Sequence, residues 1–139
     1  TMNPPYRTDA AGTRSPHAGR AGAHVLEDDG LDPWLRAAAS LLRANGEVAI
    51  IFAASGLGDL LAAMVGRFGG AAVLPVHPRA DAPAHRVIVQ ARKGSRAPMT
   101  LLPGLVLHGA TGNGYLVEAD RILRAGASLA DVHTGWARR

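Results

Sequence analysis

The chain has 139 residues, 47% of them hydrophobic, with 15 Lys plus Arg against 11 Asp plus Glu and a formal net charge of +4. That length and a mean hydropathy of +0.06 suit one globular domain and exclude a highly charged disordered tail. No apolar run approaches the roughly 20 residues of a membrane-spanning helix, and the absence of cysteine excludes disulfides and thiolate metal sites.

The opening residues lack the basic and apolar regions of a secretory signal, so the expected compartment is the cytoplasm and no membrane partner is expected. Lys93 is the single lysine, and every other cation is an arginine. The planar guanidinium fork suits phosphate contacts and base stacking. A charge of +4 permits nucleic-acid binding without demanding it.

In chain order, the first informative segment is Asn3-Pro4-Pro5-Tyr6. It is uncharged, stiff and carries one aromatic face. Both proline rings fix their own φ angles, and Pro5 biases Pro4 toward an extended conformation that aims its carbonyl. The Asn3 side-chain oxygen and the Pro4 carbonyl can each accept one hydrogen of a planar exocyclic amine. Preorganised capture of this kind turns the amine lone pair out of conjugation and toward an electrophile. Tyr6 supplies a face on which a base can stack, worth roughly 1–3 kcal/mol in nucleic-acid sites. Taken alone, the same residues also read as a turn or an extended linker.

Residues 7–30 are rich in Gly, Ala, Arg and Ser and read as a substrate loop, with one short helix near Ala18–Leu26. Arg7, Arg14 and Arg20 are its candidate phosphate contacts; a solvated loop is the other reading. Asp32 is the expected N-cap of a helix with Pro33 at its first position. Trp34, Leu35, Ala38, Leu41 and Leu42 share one face at helical spacing, and Asn45-Gly46 supplies a left-handed stop. Glu47–Phe52 is a continuous apolar run, which suits a strand buried on both faces.

A second helix is expected over Gly56–Phe68, capped by Ser55 and ended by Gly69-Gly70, with Leu57, Leu60, Leu61, Met64 and Val65 inward. Ala71–Val76 reads as a strand closed by His77-Pro78. His85–Ala91 reads as the next strand, antiparallel to it. Leu101–Leu107 is a further strand broken at Pro103-Gly104, and Val117–Ala125 a short closing helix. The histidines His17, His24, His77, His85, His108 and His133 lack the i, i+4 spacing of a helical metal pair, so no metal is expected. The glycines of 109–114 do not form a Gly-x-Gly-x-x-Gly phosphate turn.

At Asn3-Pro4-Pro5-Tyr6 the chain resembles the amino-methyltransferase branch of the Rossmann-like methyltransferases that use S-adenosylmethionine, in which an (Asn/Asp/Ser)-Pro-Pro-(Tyr/Phe/Trp) motif closes the fourth strand. Four further segments carry a likeness to the "methyltransferase small" group that contains the tRNA1(Val) adenine N6-methyltransferases. They are Trp34-Leu-Arg-Ala-Ala-Ala, Leu74-Pro-Val-His-Pro-Arg, Arg86-Val-Ile-Val-Gln-Ala-Arg-Lys-Gly and Leu105-Val-Leu-His108.

The resemblance implies an α/β fold: the C-terminal half of a Rossmann-like class I methyltransferase sheet, entered at the end of the fourth strand and ending in an antiparallel strand pair. Residues 1–139 would then be a partial methyltransferase domain, with Thr1-Met2 the last trace of the fourth strand. The cofactor-binding groups would belong to an upstream half, and the Glu47–Phe52 strand would keep an apolar open edge prone to self-association.

It further implies an N6-adenine methyltransferase acting on RNA, tRNA in the first instance, with S-adenosylmethionine as cofactor. Asn3, Pro4, Pro5 and Tyr6 would form the catalytic segment. Arg7, Arg14, Arg86, Arg92, Lys93 and Arg96 would face the RNA, a solvated strand end being the plainer reading of the last four. Glutamine-methylating enzymes share the tetrapeptide, so methylation of a protein glutamine amide is the alternative. An inactive fragment or an RNA-binding module is the non-enzymatic one.

Overall fold

The computed structural model describes residues 1–5, 30–133 and 136. Tyr6, Arg7, Arg14, Arg20 and the helix expected near Ala18–Leu26 lie outside the described residues. The elements in chain order are α1 (Asp32–Leu41), β1 (Glu47–Ala53), a 3-10 turn (Ala54–Gly56), α2 (Leu57–Met64), β2 (Phe68–His77), β3 (Arg86–Lys93), β4 (Thr100–Leu101), β5 (Leu105–Val106), α3 (Val117–Leu123) and α4 (Leu129–Val132).

The strands form one mixed sheet in the order β1-β3-β2-β4, with β5 also paired to β2. β3 runs antiparallel to both β1 and β2, while β4 and β5 run parallel to β2. Beyond β1, Met2 forms a parallel bridge to Ile50: its N–H donates to the Ala49 carbonyl at 2.9 Å and its carbonyl accepts from Ile51 N–H at 3.1 Å. The expected open edge of β1 is thus met by the chain's own second residue over one bridge. This α/β sheet, with antiparallel β3 set between β1 and β2, is of the fold class expected from the sequence.

Helices α1 and α2 cover one face. Leu35, Leu60 and Met64 pack there on Val48, Ile50, Phe52, Val73, Val87 and Val89. Each fully buried Leu or Ile contributes about 1.5–3 kcal/mol relative to exposure. On the opposite face Leu74, Leu102 and Leu105 form a smaller cluster, with Ile88, Ile122, Leu129 and Trp136 packed against it. Among the described residues that second layer is incomplete. The apolar β1 run was expected to be buried on both faces, yet Ile51 remains 39% exposed because α3 and α4 do not extend over it.

Helix α1 departs from expectation at both ends. Leu31 is the N-cap, and Asp32 is the first helical residue with Pro33 next. The Asp32 carboxylate instead pairs with Arg36 one turn on and with Arg67 at 2.8 Å, which ties α1 to the turn after α2. Leu41 is 86% exposed, and Trp34 also faces outward, so the buried stripe narrows to Leu35 with partial cover from Ala38, Ala39 and Leu42. Asn45 does adopt the left-handed conformation, at φ 60°.

Helix α2 stops at Met64, four residues before the expected end, because Gly66 takes φ 79°. That conformation is open to glycine at little cost, and Val65 is left 75% exposed. Gly69 and Gly70 lie in β2 rather than ending the helix. The register shifts between Gly69 and Ala72, and a Cβ on Gly69 would fall 2.2 Å from the Ser95 carbonyl oxygen.

The hydrogen bond from Arg36 does most to hold the Asp32 carboxyl below its ordinary range; desolvation opposes it, and the charges of Arg67 and Arg36 add to the lowering. A depressed folded value means stability that is present above the unfolded pKa, about 4, and lost as pH falls through the folded value. Asp32→Asn is therefore expected to lower the melting temperature slightly at pH 7, the pairs being exposed. The difference should shrink in melts run at pH values falling below the unfolded pKa, about 4, and through the lower folded value. No helix among the described residues is long and apolar enough to cross a membrane.

Candidate functional site

Strand direction sets the site. Met2, β1, β2, β4 and β5 all run the same way, and β3 runs against them. The carboxyl ends of the parallel strands and the start of β3 therefore share one rim. Across it stand Asn3–Pro5, the 3-10 turn after β1, His85-Arg86, His77–Arg79 and Leu107-His108. The register pairs Ala53 and Val76 each with Arg86, and Val76 with Leu105. Backbone bonds link the rim laterally: Ala54 N–H to the His85 carbonyl at 3.2 Å, and His85 N–H to the Val76 carbonyl at 3.1 Å.

At one end of the rim, Pro4 and Pro5 are buried while Asn3 is exposed. All peptide bonds described are trans. A rigid, buried Pro-Pro base thus carries an open amide side chain. Of the tetrapeptide, Tyr6 lies outside the described residues.

The cations expected to face RNA do not stand together. Arg86 is at this rim, its guanidinium donating to the His85 carbonyl at 3.0 Å. Arg92 and Lys93 lie at the opposite end of β3, roughly 20 Å away at about 3.4 Å per residue, and Arg96 follows them. Arg92 is paired with Glu47 at 2.8 Å. Lys93 Nζ donates to the Leu42 carbonyl at 2.7 Å and fastens the end of α1. Arg96 is exposed.

The other end of the rim holds groups to which the sequence assigned no role in the site. Arg79 donates to the carbonyls of Gly109 and, at 2.8 Å, Gly112. His77 Nδ1 donates to the Ala82 carbonyl at 2.9 Å. The His108 and Tyr115 rings stack with centroids 4.9 Å apart and 18° between planes, and Arg124 lies 5.3 Å from the Tyr115 ring centroid. The sequence signal for this end was the His77-Pro78-Arg79 run closing a strand.

On the thinly covered sheet face, a trough of about 370 Å³ is lined by Met2, Ile51, Ile88, Leu129 and Trp136, with Thr1, Gln90 and Ser128 its polar side chains. No set of three His, Asp or Glu side chains among the described residues is arranged to hold a metal ion.

This mixed sheet, with β3 set antiparallel between β1 and β2, resembles a methyltransferase fold. The comparison is with the crystal structure of a predicted O-methyltransferase, protein Atu636 from Agrobacterium tumefaciens. The two share 28% identity at a TM-score of 0.65, over 78% of this chain and 49% of that one. The chain thus spans about half the length of that protein. No protein-family model and no curated protein matches the chain.

Methyltransferases of this fold use S-adenosylmethionine, but the described residues do not fit that group by themselves. None of the described strands ends in an acidic residue able to hold a ribose, and no Gly-x-Gly-x-x-Gly turn opens a described helix.

Proposed function

We propose that these residues form the acceptor-binding half of an N6-adenine methyltransferase acting on RNA, tRNA in the first instance, with S-adenosylmethionine bound by a part of the fold outside these 139 residues. The observation that carries the reading is the position of Asn3, exposed on a buried Pro-Pro base where the chain leaves its parallel bridge beside β1. Asn3 Oδ1 and the Pro4 carbonyl accept the two amine hydrogens, and Tyr6 stacks the base once it is turned out of its helix or loop.

The chemistry of the acceptors favours nitrogen over oxygen. A hydroxyl must lose its proton to become a good nucleophile, and that needs a general base. An amide oxygen and a backbone carbonyl accept hydrogen bonds but do not take up protons near neutral pH. An amine keeps a usable lone pair once its two hydrogens are held.

Protein glutamine is the competing acceptor, since its amide presents the same two hydrogens. The basic balance of the chain favours RNA. The test uses protein carrying the complete domain, labelled S-adenosylmethionine, bulk tRNA and a release-factor-like protein. Label is expected in the tRNA. Label confined to the protein would replace this reading with glutamine methylation.

A further inference from the structure

We infer that the far end of the rim, built from His108, Tyr115 and Arg124, is a stacking platform for an unpaired nucleotide on the same strand as the target base. The inference rests on the proposed RNA reading and narrows it to single-stranded RNA, a loop or an end, as the form recognised.

The platform is an ordered structure carrying exposed planar groups. Its loop, residues 109–114, is pinned by Arg79 at the Gly109 and Gly112 carbonyls. It is pinned again by His108 Nδ1 donating to the Gly114 carbonyl at 3.1 Å, and by Leu116 N–H donating to the Leu107 carbonyl at 2.8 Å. His108 and Tyr115 also form an antiparallel bridge. The loop is thus fixed through its backbone and does not depend on burying its rings. Tyr115 nevertheless stays 37% exposed, with the imidazole stacked on it and the guanidinium over it.

Arg124 is anchored to Asp120 at 3.5 Å and remains exposed, so its plane is available to a partner. A stack of imidazole, phenol and guanidinium, open to solvent beside arginine, matches the way proteins hold unpaired bases, on aromatic faces and guanidinium planes. A glutamine side chain has no flat ring to place there. Double-stranded RNA keeps its bases paired and inaccessible.

Location gives the platform its role. It shares the rim with Asn3, separated from it by about four strand spacings, or roughly 20 Å. A target base held at Asn3 and a base several nucleotides along, held at Tyr115, would be parts of one strand laid along the rim, past Arg86.

The test measures binding of a fluorescein-labelled single-stranded oligoribonucleotide to the 139-residue chain by anisotropy, alongside a duplex of the same sequence and a glutamine-containing peptide. Tyr115→Ala and Arg124→Ala are each expected to weaken single-strand binding by about fivefold or more, in line with the loss of one stacking contact. Tyr115→Phe, which keeps the ring, should stay within about twofold of the parent. Circular dichroism melts identify any variant that has lost its fold, and Tyr115→Phe against Tyr115→Ala then decides.

Equal binding by folded Tyr115→Ala and the parent overturns the platform, as does a parent that binds duplex or peptide as well as single strand. The two proposals separate in the labelling assay. Methylation of tRNA with an unchanged KM in Tyr115→Ala sinks the platform alone, whereas label in protein only sinks both.

Discussion

Asn3→Ala in the complete domain is expected to lower kcat by about 10²–10³, the loss that follows removal of one preorganised polar contact at a reacting group. S-adenosylmethionine affinity should hardly change, because Asn3 acts on the acceptor. The melting temperature should also hold, since Asn3 is exposed. Asn3→Asp keeps an oxygen at the same place and should retain part of the activity. The Pro4 carbonyl remains in every variant, so a residual rate is expected. Steady-state kinetics with a separate cofactor-binding titration checks all of this. Equal loss of turnover and cofactor affinity would make Asn3 a structural residue.

The largest effect on stability is expected from Ile50→Ala. Ile50 has no exposed surface and lies between β3, where it faces Val89, and the Met2 bridge that sets the direction of the tetrapeptide. Truncation removes buried methyl groups and leaves a cavity under α1 and α2, at a cost of about 2–5 kcal/mol. For a domain of this size that is a large part of a total near 5–15 kcal/mol. Its neighbour Ile51 points to the thinly covered face and lines the trough. Ile51→Ala should cost under about 1 kcal/mol. Urea unfolding of the pair reads the difference directly, and equal losses would mean that the two faces of β1 have been assigned wrongly.

Much of the fold was legible because its strongest signals are local. The apolar run of β1, the alternation of β3 and the Pro103-Gly104 break between β4 and β5 all mark strands without reference to anything distant. The end of α2 was not legible in the same way. Leu61, Met64, Val65 and Phe68 continue a helical spacing, and only the left-handed turn at Gly66 reassigns Phe68 to a strand. Trp34 and Leu41 were placed inward because hydrophobic spacing cannot tell how wide a stripe the sheet will cover.

The site divides along the same line. Asn3–Pro5 could be picked out from the chemistry of four consecutive residues. The grouping of Arg86 with His77, Arg79 and His108, and its separation from Arg92 and Lys93, depends on β3 lying between β1 and β2. Arg86 and Arg92 look like one cluster in the sequence, yet an extended strand carries them to opposite ends of the sheet. Glu47 then pairs with Arg92 across the register, a contact between residues far apart in the chain.

The most direct measurement of the central claim is the identity of the methylated nucleoside in tRNA after reaction with the complete domain and labelled S-adenosylmethionine, resolved by mass spectrometry of the digested RNA. Capture of an amine by Asn3 and Pro4 predicts N6-methyladenosine, lost in Asn3→Ala. Label on a ribose or base oxygen, undiminished by that substitution, would contradict it.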